Sequence, residues 1–301
     1  MLLYLIFKSP SPTLREMRMY LLNTLFLQIL ATCTASAAQC RIVPNKNSVS
    51  FLCSGPCMYI NDKVCFHVFN VYQASSIGCA TSLILAFYYR YRILINIHKL
   101  KSTKILHFII CYGVPISYML IQQFTPSDSE KVNLEIRKLH PDYNFDNYTI
   151  IGFSDVYTFP SIIITGFMLF GVYITPMIAF FYRRKILRIL SSADARVVRI
   201  EQSKSIILGL TIQTVLPAIC YIPVMSFYTY VTYFNGSSIF LEYILSPLGL
   251  IYTMADPILT MYFVLPYRRT VIRLLMSKSK PSVTFQSEMS TNVPVFTRRY
   301  N

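Results

Sequence analysis

The chain has 301 residues, 54% of them hydrophobic and only 14% charged, with a mean hydropathy of +0.46 and a formal net charge of +15. That apolar excess excludes an ordinary soluble domain. The basic balance does not point to nucleic acid, because the Lys and Arg fall between apolar runs instead of along one face or in a single tail.

In chain order, MLLYLIF comes first, seven apolar residues ahead of Lys8. At ~1.5 Å per residue such a helix covers about a third of a bilayer. It lacks the basic leader, long apolar region and small-residue cleavage site of a signal peptide, and we read it as the inner end of a span whose beginning is not in this chain. Six runs long enough to cross follow, at 19–39, 66–89, 105–123, 157–182, 205–232 and 239–264. They show no two-residue alternation, so helices are expected instead of barrel strands: an all-α, polytopic membrane protein with six complete spans. A membrane domain over 1–276 closes with PYRRTVIRLLMSK, read as a helix at 266–276 on the inner leaflet. The Ser/Thr-rich stretch 277–301 has no periodicity and reads as a disordered cytoplasmic tail open to phosphorylation.

Charge sets the orientation. Residues 8–18, 90–104, 183–204 and the tail from 266 hold 22 of the 28 Lys and Arg, so these loops are expected in the cytoplasm, where they also meet anionic membrane lipid. The opposite loops carry two N-x-S/T sequons, at Asn147 and Asn235, as glycosylation candidates. They also carry Cys40, Cys53, Cys57 and Cys65, disulfide candidates whose three full pairings stay open, whereas Cys33, Cys79, Cys111 and Cys220 lie in spans.

No phosphate-binding Gly loop, HExxH or metal-spaced CxxC occurs among these residues, so the reading is of no enzyme, no metal and no cofactor. The informative groups are the polar residues inside spans, which must face the bundle interior. Asp256 and Glu242 are 14 residues apart, roughly 40° around a helix, and share a face. Asp256 lies near mid-membrane beside Pro257, with Gln28 and Gln213 at matching depth, and these four are the candidate switch; a static kink is the alternative. Glu242 lies near the outer surface, where water can solvate it. His67, Asn70 and Gln73, three residues apart, form a stripe for ligand contact or for binding helices together. Arg90 follows a long apolar run and is expected to snorkel to the inner surface.

FKSPSPTLREMRMYLLNTLFLQ, CRIVP, SGPCMYI, AFYYRYRIL, the Gln213-x-x-x-Pro217 and Pro223 pattern, and ADPILTMYFVLPYRR together resemble the nematode serpentine chemoreceptors, class Srd, within the Str superfamily of seven-transmembrane G-protein-coupled receptors. The resemblance runs through nearly the whole chain in order. It implies a seven-transmembrane helix bundle with a truncated first helix, an outer half that takes an external small-molecule ligand with Glu242 among its candidate contacts, and inner loops that couple to a heterotrimeric G protein. Arg90, Arg183, Arg184 and Lys185 are the coupling candidates, and the plasma membrane or sensory cilium of chemosensory neurons is the expected location. Against rhodopsin-like receptors the likeness is looser: Tyr89-Arg90-Tyr91 stands in place of Asp-Arg-Tyr, and Asp256-Pro257 in place of Asn-Pro. The second outer loop has no Cys, so the bridge such receptors make from the third span to that loop cannot form. A small transporter or channel subunit is the alternative; no repeat relates the two halves of the chain.

Overall fold

The computed structural model describes residues 2–8, 12–45, 47–95, 103–192, 198–234, 239–263, 267–268 and 270–273. Its helices are α1 (Leu2–Lys8), α2 (Pro12–Ala38), α3 (Asp62–Ile95), α4 (Thr103–Gln123), α5 (Ser129–Leu139), α6 (Phe159–Ser192), α7 (Val198–Phe234) and α8 (Ile239–Phe263). Among the described residues, six of these are long and apolar enough to cross a membrane, over Arg18–Ala38, Asp62–Arg92, Ile105–Gln123, Phe159–Ile189, Thr211–Val231 and Glu242–Phe263. Helix α3 runs through the middle, packed on α2, α4 and α6, and α7 pairs with both α6 and α8. The outer surface of the bundle is apolar: Phe108, Ile116, Phe170, Met177, Ile219, Met254 and Ile258 are each more than half exposed, as side chains facing lipid are.

Helix α1 packs into the inner end of the bundle. Leu2, Leu5 and Ile6 are buried against Leu25 of α2 and Tyr267, which lies in the helical residues after α8. The tail at 277–301 and the sequon at Asn235 lie outside the described residues.

The outer side carries a small sheet that an all-helical reading of the spans leaves out. Strands β1 (Cys40–Pro44), β2 (Val49–Cys53) and β3 (Thr149–Phe153) are antiparallel in the order β1-β2-β3. Helix α2 ends at Gln39, whose φ of 45° and N–H bond to the Ala35 carbonyl turn the chain directly into β1. Alternation along the strands gives the sheet two buried faces. Val49, Phe51, Cys53, Ile151 and Phe153 pack down onto Phe69 of α3, while Val43, Leu52 and Ile150 pack up against Val132 and Ile136 of α5. Helix α5 starts at Asp128, whose carboxylate accepts from the N–H groups of Glu130 and Lys131. Gly152 passes so close to the Val49 carbonyl that any Cβ there would collide with it.

Two disulfides brace this cap. Cys40–Cys53 links the paired ends of β1 and β2, and Cys57–Cys65 fastens the turn at Pro56–Tyr59 to the first turns of α3. Cys65 is therefore bonded within the first outer loop. Replacing Cys40 and Cys53 together by Ser is expected to cost the cap about 3 kcal/mol, the chain-entropy value for a loop of about 15 residues. Hydrogen exchange at the β1 amides measures it: protection should fall on the double substitution, and unchanged protection would show that the sheet holds without the bond.

Candidate functional site

The deepest polar cluster is built on α8. Pro257 has no N–H, so the Thr253 carbonyl loses its helical donor, and Asp256 stands at this break, 5% exposed. Gln28 of α2 donates from Nε2 to Asp256 Oδ2 at 2.8 Å, and Gln213 of α7 donates from Nε2 to Asp256 Oδ1 at 3.3 Å and to Thr260 Oγ1 at 3.1 Å. The other end of the same amide, Gln213 Oε1, accepts from Arg90 Nη1 of α3 at 3.3 Å. One carboxyl thus joins α2, α7 and α8, and a single amide separates it from an arginine on α3. In an apolar bundle such a network holds helices in one arrangement, because each group left without a partner is costly.

Arg90 does not snorkel to the lipid surface. It follows Leu83 and Phe87 at helical spacing, both buried, so it shares their inward face and reaches Gln213. Beside this cluster, Thr24 of α2 and Ser82 of α3 share a hydrogen bond of 2.5 Å, and Asn23 bonds to both Tyr112 and Cys111 of α4.

Above the cluster lies a cavity of about 140 Å³ between α3, α6, α7 and α8. Its walls are mainly apolar, Ile42 of β1 and Phe69 line its outer end, and Tyr252 stands at its inner end. Leu83 lines both this cavity and the small space around Asp256, and Tyr252 precedes Asp256 by one turn of α8. Cavity and polar cluster are therefore adjacent levels of the same bundle.

Of the polar stripe on α3, Gln73 reaches this cavity. Its Oε1 accepts from Tyr118 at 3.2 Å and from Gln122 at 2.5 Å, both on α4, which leaves its N–H groups toward the cavity. Asn70 is fully buried and its amide has no hydrogen-bond partner among the described residues, but it does not line the cavity. His67 is exposed and lies against Phe66, because the stripe spans about 120° and its far edge turns out of the bundle.

Glu242 is not a solvated surface acid. It is 4% exposed and paired with Arg41 of β1, whose Nε and Nη2 donate to its Oε2 at 3.0 and 2.5 Å. The Arg41 guanidinium also donates to the Tyr243 hydroxyl at 2.8 Å and lies over the Tyr143 and Tyr243 rings. This clamp fixes the edge strand to α8 and borders an outer vestibule of about 370 Å³, which meets the inner cavity at Phe69 and Tyr72.

The family model described as "Serpentine type 7TM GPCR chemoreceptor Srd" matches residues 1–273. Serpentine receptor class delta-50 of Caenorhabditis elegans is 44% identical over 299 residues, covering 95% of this chain and 88% of that protein. Serpentine receptor class delta-51 of the same organism is 38% identical over 296 residues, covering 98% of this chain and 87% of its own length. The chain belongs to the Srd serpentine chemoreceptors. It is thus a multi-pass membrane protein of the seven-transmembrane, G-protein-coupled receptor type, in a family of chemoreceptors and not of enzymes.

In this Srd receptor the basic inner end of α6 is held by neighbours. Arg183 Nε donates to Thr211 Oγ1 of α7 at 2.9 Å, Lys185 lies over the Tyr91 and Phe181 rings, and Arg184 is exposed beside Phe180. On the outer side Asn147 is exposed in the turn before β3. Sequence reasoning missed Arg41, Tyr252 and the sheet. The strands did leave a signal: VSFLC and TIIGF are short β-branched and aromatic runs, and PNKNS before the first is a turn sequence.

Proposed function

We propose that this receptor binds an external small molecule in the cavity between α3, α6, α7 and α8 and reports it to a heterotrimeric G protein at the plasma membrane or cilium of a chemosensory neuron. One observation carries the reading: the cavity and the Asp256 cluster share Leu83 and are one helical turn apart on α8. A ligand that shifts Tyr252 or Leu83 disturbs the packing around Asp256, Gln28 and Gln213, next to Pro257. Arg90 passes that change toward the inner end of α3, and Arg183, Arg184 and Lys185 present it at the inner end of α6. Gln73 supplies a ligand contact, whereas Glu242 acts at the vestibule through Arg41. A ligand can drive this only through different affinities for the two packings.

The test is a ligand screen in cells with a second-messenger readout. A ligand whose response is lost in Leu83→Phe, with surface expression kept, supports the reading. Ion or solute flux from reconstituted protein, with no nucleotide-dependent response, would replace it with the transporter or channel alternative.

A further inference from the structure

We infer the chemical class of the ligand: an uncharged molecule about the size of one six-membered ring, carrying a hydrogen-bond acceptor. This rests on the cavity being the ligand site. Size is the first argument. The cavity holds about 140 Å³. An apolar cavity of about 150 Å³ is enough for benzene, so a ligand of roughly six to nine non-hydrogen atoms matches it.

Charge is the second argument. None of the residues lining the cavity is Asp, Glu, Lys, Arg or His. An ion enclosed there would lose its water without a partner, a cost that a small ligand cannot offset. The charged groups lining the vestibule, Arg41 and Glu242, are already paired with each other. A carboxylate or an ammonium therefore meets no countercharge at the inner site.

Beside the Tyr252 hydroxyl, which is buried with no hydrogen-bond partner among the described residues, a polar requirement comes from Gln73. Its carbonyl end is taken by Tyr118 and Gln122, so it offers donors to the cavity. The Tyr221 hydroxyl, also at the cavity, is used on the Gly249 carbonyl at 3.1 Å. An alcohol, ketone, aldehyde, ether or ester oxygen satisfies Gln73, and a pure hydrocarbon leaves it unmet.

Purified full-length protein in lipid nanodiscs, without G protein, tests the assignment by ligand-observed NMR. The probes are neutral monocyclic compounds (benzyl alcohol, cyclohexanone, anisole), the shape-matched cation benzylammonium, and bicyclic 2-naphthylmethanol. At least one neutral monocycle should bind saturably, with benzylammonium and 2-naphthylmethanol at least tenfold weaker. Gly171→Leu should abolish that binding while thermal unfolding stays near wild type, because Gly171 lines the cavity and a Cβ there meets nothing within 4 Å. Ala80→Leu is a second filling variant from α3, and Met168→Ala should improve 2-naphthylmethanol. Gln73→Leu should weaken the alcohol about tenfold and leave toluene unchanged.

Binding of the cation or the bicycle as tightly as the monocycles, binding indifferent to both filling variants, or no binding by any monocycle would overturn the assignment. Signalling is read separately. A receptor activated by a large or charged ligand keeps the proposed function and loses this inference; monocycle binding without any G-protein response does the reverse.

Discussion

Asp256→Ala is expected to destabilise the receptor by about 3–5 kcal/mol, the range for removing one member of a buried charged network. The loss has three parts: Gln28 Nε2 loses its acceptor and Gln213 Nε2 keeps only Thr260, Arg90 loses the acid one amide away, and a space is left beside Pro257. Asp256→Asn keeps the volume and one carbonyl acceptor, and should cost less, about 1.5–3 kcal/mol for hydrogen bonds to a charged group. Thermal unfolding in nanodiscs measures both. Gln213→Ala combined with Asp256→Ala should fall short of the sum by about 0.5–3 kcal/mol, since the two side chains share their partners. The functional arm uses Asp256→Asn in cells. Normal surface expression with no second-messenger response assigns the cluster to switching. Normal expression with a normal response would reduce it to a tie between helices.

The second large effect is expected at the cap. Arg41→Ala leaves Glu242 buried and unpaired, and Glu242→Gln leaves the guanidinium without its acid. Either should cost about 3–5 kcal/mol of local stability. Arg41 is 11% and Glu242 4% exposed, so solvent screens the pair little. The cost falls on β1 and the outer end of α8, and hydrogen exchange should show those amides opening while α3 stays protected. The double substitution Arg41→Met with Glu242→Leu should recover most of the loss. Equal exchange in wild type and Arg41→Ala would show that the strand is held by the sheet and Cys40–Cys53 alone.

His140 gives this region a pH dependence. Burial holds its pKa below the ordinary 6.5, with Arg41 lowering it further and Glu242 opposing. Below pH 6.5 the unfolded chain therefore binds more protons than the folded one. The stabilising contribution is full above that pH and is lost as pH falls through the folded value. Acidification should loosen the cap, and His140→Gln should flatten the response.

The membrane spans were legible because each records one physical requirement, a run of apolar side chains long enough for the hydrocarbon. The run read as 105–123 is the span Ile105–Gln123, whereas the run read as 66–89 extends to Asp62–Arg92 because α3 continues past the lipid at both ends. The cap was harder to see. Its strands are five residues each, and β3 lies about a hundred residues from β2, so the pairing that makes the sheet is not a local property.

Depth in the membrane is also local, since position along a helix fixes it, and this put Gln28, Gln213 and Asp256 at one level from the sequence. Which faces meet is not local. Arg90 shows the difference: a lone arginine after an apolar run can turn to lipid or to protein, and only its place beside Leu83 and Phe87 on the inward face of α3 directs it to Gln213. Glu242 shows it again, because its partner is 201 residues away on a strand that the helical pattern does not predict.

By itself, the sequence determined the apolar spans and the family, because length and ordered motifs are each written along the chain. The tertiary structure alone decided that Arg41 and Glu242 close the cap, that Cys57 takes Cys65, and that an uncharged cavity stands one turn above Asp256. Those features depend on side chains far apart in sequence meeting at fixed angles, which packing sets and periodicity does not.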